Sequence, residues 1–193
     1  AHLLPAYAGL SMQKELEALE KEWPEFATLN SPTQRVGGDI TKEFQQVAHA
    51  YPMLSLGNSY SRDEVADFVR RVEKAVGRVA YCMELKYDGV AISLSYRQGE
   101  LVRGVTRGDG EKGDDITANV RTVRSIPLRL RGTFPPSFEA RGEILFMRAR
   151  FEELNAERAA RGEELYANPR NTAAGSLKQQ DPKDVARRGL DNF

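Results

Sequence analysis

A carboxylate and an amine stand two residues apart near the middle of the chain, at Glu84 and Lys86. In a β-strand, residues at this spacing lie on the same face and about 7 Å apart, so the two groups would point to one side. Asp88 and Gly89 follow directly and are typical of a tight turn. On spacing alone two interpretations remain open: an exposed Glu–Lys pair on a sheet, or a nucleophilic lysine at a strand end where the turn opens a site.

The residues around this pair alternate between apolar and polar, which is the pattern of β-strands. The pattern predicts strands at 79–87, 90–96 and 101–107, with a hairpin turn at Gln98 and Gly99. In the first strand, one face would be apolar and belong to a core, and the other would carry the chemical groups. The apolar set is Met83, Leu85 and Tyr87, and the opposite set is Cys82, Glu84 and Lys86.

Helical periodicity predicts helices at 11–23, 62–76 and 147–161. Ser61 and Glu64 form a capping box at the start of the second of these helices. We expect that helix to bury one apolar stripe, formed by Val65, Phe68, Val69, Val72 and Val76.

The elements together indicate an α+β fold with a largely antiparallel sheet and flanking helices. A further strand is predicted at 138–146, and the polar tail from residue 166 onward is expected to be a loop. The chain has 193 residues, 29% of them charged and 40% hydrophobic, with no net charge. This balance excludes a wholly disordered chain.

Three further features of the composition limit the possible functions. No apolar run reaches the ~18 residues of a membrane span, so we expect no membrane partner. The single cysteine, Cys82, excludes an intrachain disulfide and a cysteine-rich zinc site within these residues, and it fits a cytoplasmic location. The stretch 116–137 contains four arginines and no acid, which fits either a solvated strand edge or a phosphate-facing patch.

The sequence KYDG at 86–89 resembles the K-x-D-G nucleophile motif of covalent nucleotidyltransferases, the class that contains DNA ligases, RNA ligases and mRNA capping enzymes. Other motifs narrow the resemblance to the adenylation domain of bacterial NAD-dependent DNA ligases, over about residues 31–193. These motifs are PMLSL at 52–56, TRGDG at 106–110, DIT at 115–117, NVRT at 119–122, RGE at 141–143 and ANPRNTAAGSL at 167–177.

The resemblance implies a nucleotidyltransferase fold and a three-step reaction. The amine of Lys86 attacks the α-phosphorus of NAD and forms a lysyl-AMP. The AMP then passes to the 5′-phosphate at a nick in duplex DNA, and the 3′-hydroxyl displaces it and seals the strand. NAD and Mg²⁺ are the implied cofactors, nicked duplex DNA is the partner, and the enzyme is expected to be a monomer in the bacterial cytoplasm.

Matching positions imply a role for each remaining site residue. Ser55 and Leu56 would lie against the adenine, and Glu84 would accept from its exocyclic amine. Arg107 would approach the ribose or phosphate, and Glu143 would hold the ribose hydroxyls.

The resemblance places two further cations at phosphate or DNA, and it assigns no residue as a metal ligand. Arg170 would face phosphate or the DNA backbone. Lys178 stands where many relatives have arginine. The positive charge is kept, but lysine lacks the planar guanidinium that can make two parallel hydrogen bonds to a phosphate.

The chain departs from the family pattern at both ends. Residues 1–30 resemble a remnant of the helical region that binds the nicotinamide mononucleotide half of NAD, but its tyrosine–histidine pair and Asp-x-x-Tyr-Asp stretch are missing. Residues 31–193 would be the N-terminal part of the adenylation domain, without the later pocket lysines and the zinc-bearing C-terminal part. We therefore expect a truncated chain that is inactive alone.

Two alternatives remain besides an NAD-dependent ligase. An ATP-dependent ligase or capping-type nucleotidyltransferase shares the KYDG motif, but the motifs at 52–56 and 167–177 speak against it. A non-catalytic nucleic-acid-binding fragment would use the arginines at 121–131 and would need no reactive lysine.

Overall fold

The computed structural model describes residues 6–28, 31–33 and 43–193. Within these residues the helices are α1 (Ala6–Glu22), α2 (Arg62–Val76), α3 (Thr117–Val120), α4 (Arg148–Ala160), α5 (Pro169–Leu177) and α6 (Pro182–Arg188), with a 3₁₀ turn at Pro24–Phe26. The strands are β1 (Gln46–Ala48), β2 (Val90–Arg97), β3 (Glu100–Thr106), β4 (Lys112–Asp114), β5 (Ser137–Leu145) and β6 (Asp191–Asn192).

A four-stranded antiparallel sheet in the order β3-β2-β5-β6 is the centre of the fold. The predicted hairpin joins β2 to the edge strand β3, and Gln98 and Gly99 in its turn have φ values of 51° and 77°. Two consecutive positive φ values match the tight turn whose twist suits a hairpin. The mixed helix and antiparallel sheet architecture is therefore confirmed.

The core lies against one face of this sheet. Ile92, Leu94 and Tyr96 alternate along β2 and are buried, as the period of a strand requires. Side chains from α3, the loop after it, α4, α5 and α6 pack against them, and Leu154 is the buried residue of α4. This core fixes the strand ends on which the site described below depends.

The predicted strand at 79–87 does not form. Residues 78–88 form neither a helix nor a strand, and none of the described strands pairs with them. Met83 is 98% and Leu85 79% exposed, so the predicted apolar face is not part of a core. The physical reason is that strand propensity depends on cross-strand neighbours, which this stretch lacks in the described part of the chain.

Helix α2 forms where predicted, but its apolar stripe is not buried. The cap is as expected, because the hydroxyl of Ser61 accepts from the Glu64 backbone N–H at 3.2 Å. However, the helix contains no buried residue, and Val65, Phe68 and Val76 are all exposed. Amphipathic periodicity predicts the helix, whereas burial also needs a packing partner, and no described element covers this face.

The expectation of a loop after residue 166 is wrong, because α5 and α6 occupy most of this tail. Asn168 caps α5 by accepting from the Asn171 N–H at 3.1 Å. Asp181 caps α6 by accepting from the Lys183 N–H at 2.8 Å. In each case a proline follows the cap, which is the preferred first helical residue.

Smaller differences concern element ends. Helix α1 begins at Ala6, before the predicted start at residue 11, and it ends before Pro24 as expected. Strand β5 and helix α4 match their predicted ranges closely. Among the residues that the structure describes, no helix combines the length and apolar character needed to cross a membrane.

Candidate functional site

One cleft brings the sequence-predicted site residues together. Its volume is about 1060 Å³, and it lies where the start of β2 meets the end of β3, the second half of β5 and helix α5. All eight predicted side chains line it: Ser55, Leu56, Glu84, Lys86, Arg107, Glu143, Arg170 and Lys178.

Sheet register explains why distant residues meet at this edge. Ala91 of β2 pairs with Glu143 of β5, and Ile92 pairs with Thr106 at the end of β3. The Arg107 N–H donates to the Ala91 carbonyl at 3.2 Å, just beyond the last strand residue. The register therefore fixes Arg107 and Glu143 on opposite sides of β2.

The backbone just after Lys86 is fixed by Gly89. Its buried N–H donates to Glu143 Oε1 at 3.1 Å. An added Cβ at Gly89 would lie 2.3 Å from the Ile144 carbonyl oxygen, so only glycine allows this close approach. Lys86 itself is exposed to the cleft.

Two side-chain contacts also anchor the turn. Asp88 Oδ1 accepts from Arg170 Nη1 at 3.2 Å, and the Tyr87 ring stacks on Phe193 with centroids 4.4 Å apart. The side chains of the ion pair are 70% and 52% exposed, so the pair contributes about 0–1 kcal/mol to stability. Its main consequence is geometric, because it joins the turn to α5.

Residues 51–56, named here the strap, contribute to the cleft, which is lined by Met53 to Leu56. Met53 is buried, and its N–H donates to the Gly110 carbonyl at 2.8 Å. Ser55 Oγ accepts from Arg107 Nη1 at 3.2 Å. Leu56 is 84% exposed and lines the cleft, so it presents an apolar surface without a partner to whatever binds there.

The cleft has a positive charge balance. Among the described residues that line it, five are cationic and two are carboxylates. Lys178 Nζ lies 2.6 Å from Asp114 Oδ2, so the structure pairs it with an acid just outside the cleft. An excess of positive charge suits a ligand with phosphate groups. The five cations are Lys86, Arg107, Arg141, Arg170 and Lys178, of which Arg141 donates to the carbonyls of Tyr51 and Pro52.

The turn that follows Arg107 is stabilised by Asp109. The Lys112 and Glu111 backbone N–H groups donate to Asp109 Oδ1 at 2.8 and 2.9 Å. These bonds, with that from Lys112 the largest cause, hold the pKa of the Asp109 carboxyl below its usual value. Asp109 thus stays ionised in the turn that supports both Arg107 and the strap.

The described residues include no cluster of side chains that could bind a metal ion without a substrate. No group of three or more histidine, cysteine, aspartate or glutamate side chains there is arranged to hold a metal ion. The carboxylates that line the cleft, among the residues described, are Glu84 and Glu143.

Comparison with known proteins decides the family. Residues 41–193 match the family described as the NAD-dependent DNA ligase adenylation domain. The chain belongs to this family. Residues 11–37 match a second family, described as the DNA ligase-like, N-terminal NAD+-binding domain.

Curated relatives of this ligase family are similar over nearly the whole chain. The DNA ligase of Parabacteroides distasonis is 57% identical over 184 residues, and that of Bacteroides fragilis is 58% identical over 184 residues. Both alignments cover 94% of this chain and 28% of the relative. The DNA ligase of Porphyromonas gingivalis is 54% identical over 186 residues, or 95% of the chain and 28% of the relative. The chain therefore spans 28% of the length of these DNA ligases.

The arginine-rich stretch lies elsewhere on the ligase adenylation domain. The Arg121 guanidinium donates to the Leu101 carbonyl at 3.3 Å, and the backbone at Leu128 and Leu130 bonds to residues beside the β2–β3 hairpin. That hairpin is at the opposite end of β2 from the cleft. None of the four arginines lines the cleft, and they are Arg121, Arg124, Arg129 and Arg131.

The sequence analysis did not identify the residues that hold other site residues in place. Asp88 and Asp114 pair with Arg170 and Lys178, and Arg141 contacts the strap. Asp88 lies in the KYDG motif and Arg141 in the RGE motif, so their charge within a motif is a signal that could have indicated them. No local signal indicates Asp114, because its partner is far away in sequence.

Proposed function

We propose that this chain is the nucleotide-binding part of an NAD-dependent DNA ligase with Lys86 as its nucleophile. The single observation that carries the proposal is the convergence of Lys86 with the seven other side chains to which the resemblance assigns a role, all in one cationic cleft. The shared sequence of the relatives, which are named DNA ligases, supports the same conclusion.

The cleft offers complementary surfaces for an adenosine. The exposed Leu56 side chain gives an apolar wall for the flat base. An ionised Glu84 accepts hydrogen bonds and cannot donate, which suits the exocyclic amine of adenine. In this proposal Glu143 holds the ribose hydroxyls while its Oε1 also accepts from Gly89, which would couple sugar binding to the lysine turn.

The proposed chemistry begins at the Lys86 amine. The unprotonated nitrogen attacks the α-phosphorus of NAD, an N–P bond forms, and nicotinamide mononucleotide leaves with the electrons of the broken P–O bond. The nitrogen releases one proton to solvent in this step. Arg107, Arg170 and Lys178 stabilise the charge on the transferring phosphate. The AMP then moves to the 5′-phosphate of a nicked duplex, and the 3′-hydroxyl displaces it.

Other family properties are proposals of the same kind. We propose a nucleotidyltransferase fold, a cytoplasmic monomer, and residues 1–30 as part of the helical region for the nicotinamide mononucleotide half. Mg²⁺ commonly keeps several waters and binds through substrate phosphates with one or two carboxylates. Such binding needs no dedicated cage of protein ligands, and in this proposal no residue of the chain is assigned as a metal ligand.

The choice between cofactors tests this function. A full-length ligase carrying these residues is incubated with Mg²⁺ and either NAD or ATP, and intact mass spectrometry detects a protein–AMP adduct. We expect the adduct with NAD alone. An adduct with ATP alone would favour the ATP-dependent class, and DNA binding without any adduct would favour the non-catalytic module.

Glu84 carries a separate prediction about base recognition. The wild-type ligase should use the hypoxanthine analogue of NAD about 5–150-fold less well in kcat/KM than NAD, because an unpaired buried polar group costs about 1–3 kcal/mol. Glu84→Gln should bring the kcat/KM values for NAD and for its hypoxanthine analogue closer together, since an amide can also donate a hydrogen bond to the analogue. Steady-state adenylation kinetics with both cofactors measure it, with Glu73→Gln on the exposed surface of α2 as the matched control. Equal kcat/KM for both cofactors in the wild type would remove Glu84 from this role.

A further inference from the structure

Arg141 of β5 connects the sheet to the strap. Its Nη2 donates to the Tyr51 carbonyl at 2.7 Å, and its Nη1 donates to the Pro52 carbonyl at 3.0 Å. Its Nε donates to Glu139 Oε1 at 3.2 Å on the same strand. The two terminal nitrogens of the guanidinium thus donate to two successive carbonyls about ninety residues away in sequence.

The strap depends on such contacts because it contains no helix or strand. Backbone hydrogen bonding of the strap to the turn at residue 110 is through Met53, as described above. Arg141 holds the two residues before Met53 from β5. Ser55 and Leu56 follow Pro52 by three and four residues, so their location depends on where these two carbonyls are held.

Charge and geometry make Arg141 suited to this task. A guanidinium gives charge-assisted hydrogen bonds in a fixed planar fork, which lysine cannot reproduce. The Glu139 side chain is only 15% exposed, and its bond to Nε orients the guanidinium.

We infer that Arg141 is a positioning residue that holds the strap against β5 so that Ser55 and Leu56 form the adenosine-binding wall. This inference rests on the proposed function. Arg141 acts here through the two carbonyls and does not contact the phosphates of the substrate. It therefore affects the adenosine half of every ligand equally, whether or not that ligand carries phosphate.

Comparison of adenosine with AMP tests the inference. Both ligands are titrated by calorimetry into a full-length ligase carrying these residues, first freed of covalent AMP with nicotinamide mononucleotide. For Arg141→Ala we expect the Kd of adenosine and of AMP to rise by the same factor, about 10-fold. The KM for NAD should rise similarly, while kcat for adenylation stays within about threefold.

Two variants separate positioning from charge and from general stability. Arg141→Lys keeps the charge but can reach only one carbonyl, so we expect it to recover only part of the lost adenosine affinity. Arg187→Ala removes an arginine that is 77% exposed on α6, outside the cleft, and should change neither Kd. Thermal melting checks that each variant is folded, and if the alanine variant does not fold, the lysine variant decides.

Three results would count against the inference or its basis. A loss of AMP affinity with unchanged adenosine affinity would make Arg141 a direct phosphate contact. Unchanged Kd for both ligands would show that the strap holds its place without Arg141. A wild-type ligase that binds neither ligand and forms no AMP adduct would overturn the proposed function itself.

Discussion

Replacing Lys86 with alanine in a full-length ligase carrying these residues should abolish the enzyme–AMP adduct. Lys86 is the candidate nucleophile of the cleft, and alanine has no group that can form an N–P bond. Lys86→Arg should do no better, because a guanidinium stays protonated and is not a nucleophile at neutral pH. Intact mass spectrometry after incubation with NAD and Mg²⁺ measures the result.

A matched lysine provides the control for this experiment. Lys183→Ala removes an exposed lysine of α6 that lies outside the cleft, so the adduct should form as in the wild type. If Lys86→Ala still gained the mass of one AMP, the assignment of the nucleophile would be wrong.

Gly89→Ala should reduce the rate of adenylation by about 100-fold or more, since a misplacement of about 1 Å can cost that much in catalysis. The added methyl carbon would lie 2.3 Å from the Ile144 carbonyl oxygen and 2.9 Å from Leu145 Cβ. Neither the carbonyl nor the buried side chain can move aside easily, so the turn after Lys86 must shift. The shift would also lengthen the bond from the Gly89 N–H to Glu143.

Single-turnover formation of the AMP adduct measures this effect, with thermal melting to check that the variant is folded. Gly175→Ala is the control, because an added Cβ in this α5 glycine meets nothing within 4 Å. Alanine also has a higher helix propensity than glycine. A Gly89→Ala rate within twofold of the wild type would contradict the close-packed geometry of this turn.

Local signals predicted the parts of the fold that local interactions form. The β2–β3 hairpin was predictable because Gln98 and Gly99 fit a tight turn between alternating strands. The start of α2 was predictable from the Ser61 cap. The caps at Asn168 and Asp181 carried the same kind of signal, but the polar composition around them hid two helices.

Non-local packing was not predictable from the same patterns. Alternation at 79–87 indicates an extended chain, yet whether it becomes a strand depends on a pairing partner. Periodicity likewise predicts which face of α2 is apolar, but not whether another element covers it.

The candidate site likewise has a part that the sequence predicts and a part that depends on long-range contacts. The family resemblance identified eight of the residues that line the cleft, from Ser55 to Lys178. It did not identify what holds them, because the bonds of Arg141 to the strap and of Lys178 to Asp114 join residues far apart in sequence. Such contacts arise only when sheet register brings the segments together.

Mapping the attachment point of AMP tests the central claim most directly. A full-length ligase carrying these residues is incubated with NAD and Mg²⁺, digested, and sequenced by tandem mass spectrometry under conditions that preserve the N–P bond. We predict that AMP is attached to Lys86 and to no other lysine of the chain. AMP attached to another residue, such as Lys178, or complete absence of the adduct from a folded enzyme, would contradict the account.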